Sequence, residues 1–128
     1  MVADGTGSVS QTIQIDIELQ QIFDGISGFV IEAVVSDPTV AIINDVIFPA
    51  YGFQFVTGAP GSTVSMRVAD FNDILDGPFS SALIATLDVQ LLSAGSAQIT
   101  LNLDQLDSDS GIDLIPGAVI NPGTITVN

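Results

Sequence analysis

The chain has 128 residues, 47% of them hydrophobic, and sets 15 acidic residues against a single basic one, Arg67, for a formal charge of -14; it contains no cysteine and no histidine. That length and apolar content describe one domain with one core, and exclude a disordered chain. The charge excludes polyanionic partners such as DNA and RNA and anionic membrane surfaces, and the missing residue types exclude disulfides, thiolate chemistry, sulfur-ligated zinc and the usual general base.

Residues 1 to 8 are rich in Gly and Ser and read as a loose lead-in to a domain spanning 9–128. No basic and then apolar region follows Met1, so no signal peptide is read there, and the chain is expected to be one domain of a longer polypeptide. From Ile13 to Leu19, Ile and Leu alternate with polar residues. A strand turns successive side chains to opposite faces, so this beat predicts a sheet with one dry and one wet face.

The same beat defines the later elements, with turn residues between them. Strands are predicted over about 9–19, 27–36, 40–48, 52–57, 63–68, 81–92, 97–106, 112–115 and 124–127. Asp24-Gly25, Asp37-Pro38, Pro49, Gly58 to Gly61, Pro116-Gly117 and Pro122-Gly123 punctuate them. Proline forces the residue before it into extended or turn geometry. Phe53 and Phe55 share one face of their strand. Val64, Met66 and Val68 point inward, leaving Ser65 and Arg67 outward. Leu83, Ala85, Leu87, Val89 and Leu91 are expected on one face, as are Ile99, Leu101 and Leu103. Tyr51 reads as a capped core aromatic or an exposed contact, with the core position favoured. The longest break in the beat is 69–79, where a marginal helical turn over 71–75 is conceivable; such a break in a sandwich is a place to look for function. No apolar run reaches the roughly 18 residues of a membrane span. The fold class expected is all-β, a sandwich or barrel.

The order of short motifs resembles the cohesin family. Gly28-Phe29-Val30-Ile31, then Ser36-Asp37-Pro38-Thr39-Val40, is similar to a cohesin pattern in which tyrosine usually stands at the position of Ser36 and leucine commonly at that of Ala41. Ala85 to Val89, the acidic turn Ser108 to Gly111 and the closing Pro122 to Val127 resemble later cohesin segments in the same order. The resemblance spans about 9–128. It implies a nine-stranded jelly-roll β-sandwich. It also implies a non-catalytic module, extracellular or at the cell surface, that binds a dockerin-containing protein on one sheet face. Calcium is then expected on the dockerin, with no cofactor here and with polysaccharide association only through a parent protein. Carried over by position, Gly28, Val30 and Glu32 lie on the outer face of that sheet, Arg67 and Asp70 match a strand end used in recognition, and Leu114 supplies an apolar contact.

Three constellations carry chemistry of their own. Asp107, Asp109 and Asp113 with Gly111 have the look of a calcium loop, since calcium gathers six to eight oxygens from closely spaced carboxylates; the distal glutamate of an EF-hand is missing, and a polar turn explains the same residues. Asp70, Asp73 and Asp76 surround Ile74 and Leu75, either as a docking loop with an apolar anchor inside an acidic rim, Leu75 counted among the contacts, or as a solvated connection with Ile74 or Leu75 tucked into the core. Arg67 is expected to pair with a carboxylate, inside the domain (Asp70 or Glu32) or on a partner, with the internal pair favoured. The alternatives to docking are a carbohydrate-binding module, disfavoured by one tyrosine and no tryptophan, and a structural surface or adhesion module. Catalysis is the reading least supported, because one loop of aspartates is not a positioned acid/base pair.

Overall fold

The structure, a computed structural model, describes residues 1–22, 25–77, 79–115 and 121–128. Among them are nine strands: β1 (Gly5–Gly7), β2 (Thr12–Ile22), β3 (Ile26–Val35), β4 (Ala41–Ile47), β5 (Gly52–Thr57), β6 (Thr63–Asp70), β7 (Phe79–Leu91), β8 (Gly95–Ser108) and β9 (Gly123–Val127). They form a six-stranded sheet in the order β1-β9-β8-β3-β6-β5 and a three-stranded sheet in the order β2-β7-β4. The predicted turns at Asp24 and at Pro116-Gly117 lie outside the described residues.

Alternation explains the core. On β3, Phe29, Ile31, Ala33 and Val35 are buried while Gly28, Val30, Glu32 and Val34 face outward; on β6, Val64, Met66 and Val68 are buried between outward residues. These side chains join Ile15, Ile17, Leu87, Val89 and Leu91 from the other sheet in one hydrophobic cluster. Two sheets packed face to face through such alternate residues make a sandwich.

Bulges decide where the alternation changes phase. In β7, Ala85 pairs with Ile17 but Leu83 pairs with Glu18, so Ile84 is the extra residue. Ile84 and Ala85 are therefore both buried, and Leu83, expected inward, is exposed. A bulged residue drops out of the ladder. Here the Ile84 carbonyl accepts a hydrogen bond from the Tyr51 hydroxyl at 2.7 Å. Tyr51 is fully buried, edge-on to Phe29 with ring centroids 6.0 Å apart. Burial, with the Asp70 charge as a smaller contribution, holds its phenol well above the ordinary value.

Two expectations at the ends of the chain differ from the structure. The lead-in contains β1, which pairs in parallel with β9, and buried Val2 bridges Ile17. Segment 112–115, read as a strand, makes only the isolated bridge between Asp107 and Asp113. Gly and Ser conceal a strand that borrows its hydrogen bonds from a distant partner, and no local pattern reports that.

Candidate functional site

The outer face of β5-β6-β3-β8 is built from three rows set by register. Phe53, Ala69, Gly28 and Asp107 form the first, Phe55, Arg67, Val30 and Gln105 the second, and Thr57, Ser65, Glu32 and Asn102 the third. No described element covers these rows. Phe53 is 43% exposed and Phe55 57%. Both belong to β5, the free edge strand of the sheet, which carries no charge.

Two shallow depressions of about 320 and 330 Å³ lie on this face, and both are lined by Val30, Phe53 and Arg67. Gly28 helps form the first of them. A Cβ built on Gly28 would stand 2.8 Å from the Val68 carbonyl oxygen, closer than real Cβ contacts come. Gly28 thus allows β3 and β6 to approach, and its missing side chain deepens the hollow beside Phe53.

The expected pairing of Arg67 with Asp70 or Glu32 is not what the structure shows. Glu32 accepts a hydrogen bond from Asn102 at 3.0 Å. Asp70 accepts from the backbone amides of Ile74 and Leu75 at 2.9 and 2.7 Å. Asp107 accepts from Gln105. Among the described residues no carboxylate forms an ion pair with the exposed Arg67 guanidinium.

The Asp70 bonds also correct the reading of Leu75 as a partner contact. Clamping two successive amides to one carboxylate fixes a turn, with Asp73 in the left-handed region (φ 55°), rather than a helical turn. Leu75 is driven into the core at 2% exposure, whereas Ile74 stays 46% exposed beside Phe71 on the surface of the loop. Leu75 is thus a structural anchor, and Ile74 and Phe71 are the residues presented to solvent. Leu114 is only partly buried and packs against the core, its backbone amide donating to Leu106.

The candidate calcium ligands do not converge. Asp107 turns to the sheet face, and Asp113 accepts from the Ile115 amide at 3.0 Å. Among the described residues the one group of three carboxylates with oxygens within 4.8 Å of one another is Asp73, Asp76 and Asp109. Asp109 is therefore shared with the loop after β6 rather than with its sequence neighbours. Sequence reasoning also passed over Phe53 and Phe55 as site residues. Their signal was present: alternate aromatics on an uncharged strand in a strongly acidic chain.

No protein-family model matches the sequence, and no curated protein matches it. Solved structures do. The chain is similar to the sixth cohesin of scaffoldin B from Acetivibrio cellulolyticus, solved in complex with a dockerin, at 11% identity and a TM-score of 0.81, covering 99% of this chain and 96% of that one. It is similar to the cohesin of a type I cohesin–dockerin complex from Clostridium thermocellum, at 8% identity and 0.78, covering 100% and 96%. A non-cellulosomal cohesin from the archaeon Archaeoglobus fulgidus is similar at 15% identity and 0.67, covering 99% and 88%. The chain is an all-β sandwich of the jelly-roll class. Within that class its fold is the cohesin fold.

Proposed function

We propose that this domain is a non-catalytic docking module, extracellular or at a cell surface, that binds a calcium-loaded dockerin on the outer face of β5-β6-β3-β8. The observation that carries the reading is the uncovered patch of Phe53, Phe55, Val30 and Arg67 on that face. An apolar centre with a polar margin is what protein partners use for recognition. The fold supports it, since similar structures were solved as cohesin–dockerin complexes. Gly28 and Glu32 complete the face, while Asp70 acts by holding its neighbouring loop. Calcium enters with the dockerin.

Capture of dockerin modules encoded in the same genome, with and without a chelator, tests this directly. Chelator-sensitive capture is expected. If every dockerin offered fails to bind in calcium, the reading is wrong. The second reading, carbohydrate binding, would have to use exposed phenylalanines, the pair Phe53 and Phe55 or the loop's Phe71, because Tyr51 is fully buried. Affinity electrophoresis in cellulose, xylan or chitin detects it as retardation that Phe53→Ser or Phe71→Ser abolishes.

A further inference from the structure

Arg67 is the one cation of a chain with 15 acids, it is exposed, and it lies at the centre of the uncovered face. It pairs in register with Val30 on one side and Phe55 on the other. Arg67 and Phe53 line both depressions. Of the acids flanking this spot, Glu32 accepts from Asn102, and Asp107, which helps line the first depression, accepts from Gln105, so neither pairs with the guanidinium. A guanidinium framed by aromatic and aliphatic side chains binds a carboxylate more strongly than one in open water. A partner that covers the rings removes solvent, and the planar fork offers two parallel donors.

We propose that Arg67, framed by Phe53, Phe55 and Val30, is the anchor for a carboxylate on an otherwise apolar segment of the protein partner. The proposal rests on the reading of this face as a docking surface and adds what the partner must present there: one Asp or Glu flanked by apolar side chains. Charge complementarity selects it. A cationic group at that point would be repelled by Arg67, and an uncharged one would leave the guanidinium desolvated without a partner. Arg67 is the chain's one basic side chain, so a carboxylate meeting the surface elsewhere finds no other Lys or Arg to pair with.

A phage-displayed random peptide library panned on the wild-type domain tests the idea independently of any dockerin. Enriched peptides should carry an acidic residue between apolar ones. Their affinity should fall by at least about tenfold with Arg67→Glu and by a smaller factor, about two- to fivefold, with Arg67→Lys, which keeps the charge and loses the fork. Peptides lacking an acid, affinities unchanged in Arg67→Glu, or no enrichment at all would each overturn the proposal. Circular dichroism of each variant confirms that the sandwich is intact. A domain that selects acidic peptides through Arg67 but captures no dockerin refutes the dockerin reading alone; one that captures dockerin equally well with Arg67→Glu refutes the carboxylate anchor alone.

Discussion

The two outer faces of the sandwich differ in what stands beside their bonded polar groups. On the small sheet, side chains are bonded to one another across strands: Gln14 to Asp88 at 3.4 Å, Thr86 to Asp16 at 2.9 Å, Ser81 to Glu18 at 3.0 Å and Asn44 to Gln90 at 3.3 Å. On the large sheet Glu32 and Asn102 are bonded in the same way, but phenylalanines stand in water beside a guanidinium that no carboxylate pairs among the described residues. Cross-strand pairs that satisfy each other describe a face meant to stay in solvent. Exposed rings and an uncompensated cation are what the proposed docking reading requires of a face that meets another molecule. Both faces share the same alternating pattern, so alternation alone does not tell them apart.

Several substitutions break or sharpen that contrast. The largest effect is expected in the loop that borders the docking face. Leu75→Ala should lower unfolding stability by about 2–5 kcal/mol in urea titration, while Ile74→Ala one residue earlier should change it by less than about 0.5 kcal/mol. Equal costs at both positions would refute the inward and outward assignment. Next is Phe53→Ser with Phe55→Ser, which should weaken dockerin capture by more than about tenfold at unchanged fold, whereas Gln14→Ala on the small sheet should leave capture unaltered. Tyr51→Phe should cost about 1–3 kcal/mol of stability, because the carbonyl of the bulged Ile84 loses its donor.

Salt gives a smaller effect. Asp45 and Asp88 stand opposite each other in the small sheet, and the chain carries a charge of -14. Like charges in register repel, and ions screen them. The melting temperature should therefore rise with added sodium chloride; a flat or falling curve would show that the acidic surface is not under strain. The smallest effect belongs to the turn after β3. Asp37 accepts from the Thr39 hydroxyl at 2.6 Å and from its amide at 3.0 Å, and the hydroxyl bond first, then the amide bond, lowers its pKa. A depressed carboxylate contributes stability above its unfolded value of about 3.9, and that contribution is lost as pH falls through the lower folded value. Asp37→Asn should remove this small acid-side loss, visible as a shallower decline in melting temperature below about pH 4.

Much of the fold was legible. The beat of Ile15 to Leu19, of Val64 to Val68 and of Ala97 to Leu101 matches strands whose apolar residues are buried, with Ile13 partly so. The site was legible in part. Gly28, Val30, Glu32 and Arg67 do share one outer face. Leu75 did not read correctly as a contact, because its burial depends on a carboxylate clamp five residues away, and the neighbours of Asp109 were not legible, because they depend on which loop lies beside it.

Two-residue periodicity and composition by themselves determined an all-β fold, most of its core residues and a strongly acidic surface, because pleat geometry and net charge are local or summed properties. Tertiary structure alone decided that Ile84 turns in and Leu83 out, that β1 finds β9, and that Arg67 faces solvent with no acid paired to it among the described residues. Bulges, distant strand pairing and the direction of a side chain's hydrogen bonds depend on what the rest of the chain brings alongside.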